Sequence, residues 1–126
     1  MACSHEGVEF VDVLHALRMK EKRNIKRFME DNFDKPLKIE DYAYLTGRSL
    51  STFHRDFKRQ FSAGPKQWLI QKRLEKSTAL LSNQSVTQVA YAIGYENVSH
   101  FIKAFQQRYG ISPKQFLIRN RSEAVL

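Results

Sequence analysis

Residues 39–73 read IEDYAYLTGRSLSTFHRDFKRQFSAGPKQWLIQKR, and residues 86–121 read VTQVAYAIGYENVSHFIKAFQQRYGISPKQFLIRNR. The second stretch repeats the first at an offset of 47 residues up to the glycine and 48 after it. Identical pairs run along its whole length: Ala43/Ala90, Tyr44/Tyr91, Gly47/Gly94, Ser51/Ser99, Phe53/Phe101, Phe57/Phe105, Pro65/Pro113, Lys66/Lys114, Gln67/Gln115, Leu69/Leu117 and Arg73/Arg121. A supersecondary unit present twice is the reading such self-similarity supports.

Within each copy the segment ahead of the glycine predicts a short helix, over 39–46 and over 86–93. Ile39, Tyr42, Ala43 and Leu45 follow helical spacing, and Gly47 or Gly94 can end the helix in the left-handed conformation. The next segment carries aromatics four residues apart, Phe53, Phe57 and Phe61 in one copy and Phe101, Phe105 and Tyr109 in the other. At 100° per residue that is one core-facing ridge. Two helices joined through a glycine turn make the helix-turn-helix pattern, whose second helix enters the major groove of DNA.

On the first of these second helices Ser51, Arg55 and Lys58 lie about 140–200° from Phe53, with His54 on the flank. The matching face in the other copy holds Ser99, Lys103 and Gln106, with Ile102 on the flank. Pro65 and Pro113 then open a further helix, since a first-turn proline loses no hydrogen bond. The first of these helices is expected to run from Pro65 to Leu81, to bury Trp68, Leu69, Leu74 and Leu81, and to join the copies. Ahead of the repeat, residues 22–32 predict a helix with Ile25, Phe28 and Met29 inward. Residues 8–17 carry helical spacing that suits a core helix, a dimer contact or the tail of another domain equally.

The predicted organisation is all-α, about seven helices in two tandem helix-turn-helix subdomains. An N-terminal extension takes residues 1–20, the first module with its linker helix 21–81, the second module 82–121 and a tail 122–126. The sequence has 126 residues, a net charge of +8 and a single cysteine, Cys3. One cysteine allows no intrachain disulfide. No apolar run approaches 18 residues and no charged start precedes an apolar stretch, so a cytoplasmic location is expected. Residues 1–47 hold eight basic and nine acidic side chains, whereas residues 48–81 hold eight and two. Residues 97–121 hold five basic and none acidic. The positive excess therefore follows the glycine of each copy, which predicts two equivalent polyanion-binding surfaces.

These residues resemble the DNA-binding domain of the AraC/XylS family of bacterial transcription regulators, over roughly residues 25–117. Gly94-Tyr95, Phe101, Phe105, Gly110 and Ser112-Pro113 carry the resemblance in the second module. Ala43, Ser49, Phe53, Arg55, Phe57, Arg73-Leu74 and Leu80-Leu81 carry it in the first. The resemblance implies seven helices, sequence-specific binding near promoters, and activation through RNA polymerase. It also implies that an effector-binding or dimerisation domain accompanies this one in many members, so the chain reads as a stand-alone activator or as part of a longer protein. The sequence departs from the family pattern at Ser62, where a glycine is usual and a looser turn is expected. It departs again at Leu117, often Arg, and at Arg48, usually apolar, which is expected to add charge on the DNA side.

Arg55 is the first candidate for base recognition, because its planar fork matches guanine O6 and N7. Lys58, Gln106 and His54 accompany it, and Lys103 suits a base edge or a phosphate. Ser51, Asn97 and Ser99 sit near helix starts, where capping competes with base contact. Ile102 fits either a thymine methyl or core packing. Arg48, Arg59, Lys66, Arg73, Gln107 and Lys114 are candidates for phosphate. Cys3, His5, His15, His54 and His100 offer no ligand pair at metal-binding spacing, and no phosphate-cradling glycine loop or nucleophile motif is present. The sequence thus predicts no cofactor and no enzyme. The alternative is a basic all-helical module for RNA or an acidic protein, which would require exposed aromatics for stacking in the RNA case.

Overall fold

The computed structural model describes residues 23–125, with side chains through residue 120. The expectations for residues 1–20 lie outside the described residues. Seven helices and no strand are found among the described residues: α1 Ile25–Asn32, α2 Ile39–Leu45, α3 Leu50–Phe61, α4 Pro65–Leu80, α5 Val86–Ala92, α6 Val98–Tyr109 and α7 Pro113–Val125. The fold is all-α, as the periodicity predicts. α7 runs on through the stretch read from sequence as a tail, since nothing in Ser122-Glu123-Ala124 breaks a helix.

Helix boundaries follow from the local residues. Asn24 caps α1 by accepting from the Arg27 amide at 3.0 Å. Ser85 and Gln88 form a reciprocal capping box at the start of α5, with bonds of 3.0 and 3.1 Å. Ser112 and Gln115 repeat it at α7, with bonds of 2.9 and 3.1 Å. Each box satisfies two amides that the helix start would otherwise leave open. α2 and α5 stop in the same way: Gly47 and Gly94 take φ of 75° and 99°. The amide beyond each glycine then bonds back to Ala43 or Ala90, at 2.9 and 3.0 Å. This is the left-handed helix stop expected of a glycine here.

α3 and α6 also stop alike, though their residues differ. Gly110 has φ 79°, and Ser62 adopts φ 58°, the one positive φ outside glycine among the described residues. Both amides bond one turn back, Ser62 to Lys58 and Gly110 to Gln106, each at 2.9 Å. The looser turn expected from Ser62 is therefore absent, because the helix stop holds serine in a conformation costing about 1–2 kcal/mol without glycine. Ser62→Gly is expected to stabilise the protein by about 1 kcal/mol, raising the melting temperature by roughly 4–8 °C. A thermal melt in which the variant unfolds no later than the parent would contradict this account.

The apolar side chains form two cores. Ile25, Met29, Tyr42, Ala43, Phe53, Phe57 and Leu69 make the first. Leu74, Leu81, Val89, Ala90, Ile93, Phe101 and Phe105 make the second. α4 supplies Leu69 to one and Leu74 to the other, so it acts as a shared wall. The aromatic ridges are internally matched as well. Phe57 meets Trp68 edge-on at 5.6 Å, and its repeat partner Phe105 meets Phe116 at 5.5 Å. Such pairs contribute about 0.5–1.5 kcal/mol beyond the area they bury.

Candidate nucleic-acid interface

With Phe53, Phe57, Phe101 and Phe105 buried, the opposite faces of α3 and α6 are turned outward. Ser51, His54, Arg55, Lys58 and Arg59 are exposed on α3, and Ser99, Lys103, Gln106 and Gln107 on α6. Lys66 and Lys114 are exposed in the first turns of α4 and α7. The face of α3 is ordered from beneath by Asp56, which is 7% exposed. One carboxylate oxygen takes the Arg48 Nε–H at 2.9 Å, while Arg55 and Arg59 reach the other at 3.8 Å. The two exposed guanidiniums are thereby held near the outer face, one on each side of Asp56.

The caps of these two helices separate the polar candidates. Ser49 caps α3, accepting from the Thr52 amide at 3.2 Å. Ser51 lies two residues further on, in the first turn, free of that duty apart from a 3.5 Å approach to Ser49 Oγ. Asn97 caps α6 through Oδ1, which accepts from the His100 amide at 3.1 Å. Its amide nitrogen and the second lone pair of Oδ1 are left to face a ligand. Ser99 is not a cap. His54 Nδ1 lies 3.0 Å from the Leu50 carbonyl, which steers the other ring nitrogen outward.

Between the modules an open groove of about 510 Å³ is lined by Lys38, Lys66, Arg73, His100, Lys103 and Gln107, with the carboxylate-bearing Glu40 and with Tyr95 and apolar side chains. Lys38 and His100 were not among the candidates for contact. His100 precedes Lys103 by three residues and Gln107 by seven, a spacing that places all three on one helix face. That spacing was the available signal.

Two modules of one design, each presenting its second helix, agree with the family comparison: residues 42–119 match the family described as a helix-turn-helix domain. The chain belongs to the AraC/XylS family. Among its relatives, the virulence regulon transcriptional activator VirF of Yersinia enterocolitica is 27% identical over 103 residues, 80% of this chain and 38% of that protein. The transcriptional activator RhaS of Citrobacter koseri is 37% identical over 76 residues, 59% of this chain and 27% of that protein. The chain thus spans between a quarter and two fifths of the length of these relatives. Among solved structures, the DNA-binding domain of the global transcriptional factor AdpA, in complex with a target DNA, superposes with a TM-score of 0.72. It is 25% identical, covering 79% of this chain and 91% of that one. The AraC/XylS family is one of DNA-binding transcription regulators, not enzymes.

Two candidates for phosphate contact, Arg48 and Arg73, have internal partners in this fold. The Arg48 side chain is only 6% exposed. Besides Asp56 it donates to the carbonyls of Arg23 and Thr46, both at 3.0 Å. Its charge is neutralised inside the first module rather than added to the outer face. Arg73 is half-buried and donates to the carbonyls of Phe33 and Lys35 at 2.7 and 2.9 Å. Both guanidiniums are held by internal partners. Ile102 is half-buried against the second core, which favours the packing reading over a thymine contact. Leu117 packs there too.

Burial pushes the Tyr95 hydroxyl up from its ordinary pKa, against the opposing charge of Arg73. Burial likewise works to raise the Asp34 carboxyl, but the hydrogen bond and charge of Lys76 outweigh it and hold the group below the ordinary carboxylate range. Neither group lies on the outward faces. Among the described residues no group of His, Cys, Asp and Glu is placed to hold a metal ion. No helix among them is long and apolar enough to cross a membrane.

Proposed function

We propose that this chain binds double-stranded DNA in a sequence-specific way, setting α3 and α6 into successive major grooves as part of a transcription activator. The observation that carries the reading is the pair of outward, acid-free faces on repeat-equivalent helices, Ser51, Arg55 and Lys58 on one and Ser99, Lys103 and Gln106 on the other. α4 has 16 residues, about 24 Å at 1.5 Å each, which suits grooves one turn, ~34 Å, apart. Arg55 and Lys103 are assigned to base edges, with Lys58, Gln106, His54, Ser51 and Ser99 beside them. Lys66, Lys114, Arg59 and Gln107 are assigned to phosphates, which anchor without specifying sequence. The activator names of VirF and RhaS support RNA polymerase as a second partner.

Selection of random duplex DNA by the protein at two salt concentrations tests the reading. Two short conserved blocks about ten base pairs apart are the expected result, and a background that is merely salt-sensitive would overturn it. Against the selected site, Arg55→Ala is expected to lose about 1–3 kcal/mol of discrimination at one or two base pairs. Lys66→Ala should instead weaken binding to all sequences and reduce the salt slope by about one. Equal losses on specific and random DNA for Arg55→Ala would remove its assigned role.

A further inference from the structure

We propose that Arg73 is the lock between the two modules: it fixes the distance and angle between α3 and α6, and so sets the spacing of the two DNA blocks the protein accepts. The inference rests on the two-groove reading above. It begins from the separation of the cores, which share no side chain among the described residues. α4 passes from the first core at Leu69 to the second at Leu74. A single helix joining two small cores leaves their relative rotation to whatever else bridges them.

Arg73 stands at that crossing and bridges both sides. Toward the first module its Nε donates to the Phe33 carbonyl at 2.7 Å. One terminal nitrogen reaches the carbonyls of Lys35 at 2.9 Å and Leu37 at 3.3 Å, and the Tyr42 hydroxyl at 3.5 Å. Three carbonyls of the α1–α2 loop thus converge on one planar cation, an arrangement whose fork geometry lysine cannot reproduce. Toward the second module the guanidinium carbon lies 5.9 Å from the ring centroid of Tyr95, within cation–π range. The Gly94 turn presses close enough that a Cβ there would sit 2.7 Å from the Lys35 oxygen and 3.2 Å from the Arg73 guanidinium carbon. Lys76, one turn further along α4, pairs with Asp34 of the same loop. Loop, linker helix and Gly94-Tyr95 turn therefore meet around one charged group.

The turn that Arg73 holds leads straight into Asn97, the cap of α6, so rotation at the lock swings the whole second recognition helix. One base pair of spacing rotates the second groove by about 34–36°, which a locked protein cannot follow and a hinged one can.

The test uses the intact chain and a duplex series carrying the two selected blocks with spacing altered by −1, 0, +1 and +2 base pairs. The parent is expected to prefer one spacing by at least about tenfold. Arg73→Met, which keeps an unbranched apolar stem but removes the donors and the charge, should reduce that preference to under about threefold while leaving binding to a single block unchanged. Arg73→Lys should fall between them. Tyr95→Leu, which takes the ring away from Arg73 while keeping an apolar side chain against Phe101 and the second core, guards against a folding failure and should also broaden the preference. A readout without DNA runs alongside. With Cys3→Ser, spin labels at Gln60→Cys and Arg108→Cys should give a narrow distance distribution in the parent and a wide one in Arg73→Met. Uniform weakening at every spacing with a narrow distance distribution would make Arg73 a stability residue and overturn the lock. A parent with no spacing optimum but a narrow distribution that widens in Arg73→Met would retain the lock and overturn the two-groove reading.

Discussion

Arg48→Ala is expected to destabilise the protein by about 3 kcal/mol, the scale on which removal of one partner from a buried ion pair acts. The Arg48 and Asp56 side chains are 6% and 10% exposed. Without Arg48, the carboxylate oxygen now bonded at 2.9 Å loses its closest cation. Arg55 and Arg59 compensate weakly, since each stands 3.8 Å from the other oxygen and is mostly in solvent. The second repeat supplies the control. Tyr95 stands where Arg48 does, since each follows its glycine and its amide bonds back to Ala90 or Ala43, and Ala104 stands where Asp56 does by the offset of 48, so neither member of the ion pair has a charged counterpart there. A well-packed apolar replacement of a buried pair is neutral or stabilising. Arg48→Tyr combined with Asp56→Ala is therefore expected to lie within about 1 kcal/mol of the parent. Urea unfolding midpoints decide it: a double variant as unstable as Arg48→Ala would show that the first module cannot use the second module's solution. The double variant should still lose affinity for DNA, because Asp56 also orders Arg55 and Arg59.

The same comparison explains what was legible in the sequence. Periodicity, glycine stops and first-turn prolines are local signals, and the bounds they predict for α1, α2, α4 and α5 fall within one to three residues of those observed. The outward faces of α3 and α6 followed from the aromatic ridges by rotation alone. The internal partners of Arg48 and Arg73 were not legible, because the burial of a charge depends on partners far away in sequence. Asp56 is eight residues from Arg48, and the Phe33 carbonyl is forty from Arg73. A signal for the first pair did exist: both of its charges are exchanged together for Tyr95 and Ala104 in the second copy. For Arg73 there was none, since its closest partners are backbone carbonyls that carry no side-chain identity, and Tyr42 and Tyr95 lie 31 and 22 residues away. Ser62 failed differently. Its residue type argued against a left-handed turn, and the helix stop overrode that preference.

Gly94→Ala is expected to cost about 2–5 kcal/mol, and Gly110→Ala only about 1–2. Both glycines have positive φ, 99° and 79°, so both variants suffer the strain that an L side chain meets there. Space separates them. Around Gly110 an added Cβ meets nothing within 4 Å, whereas at Gly94 it would lie 2.7 Å from the backbone oxygen of Lys35. A carbonyl already accepting from Arg73 at 2.9 Å cannot withdraw without breaking that bond. The clash therefore adds roughly the 1–3 kcal/mol of overpacking at Gly94 alone. Relief has to come from moving the Gly94-Tyr95 turn off the α1–α2 loop, which carries Asn97 and the first turn of α6 with it. Amide hydrogen exchange should accordingly rise at the start of α6 in Gly94→Ala and stay unchanged there in Gly110→Ala. Equal losses of stability in the two variants would mean that backbone strain alone governs these turns and that the loop yields freely to the second module.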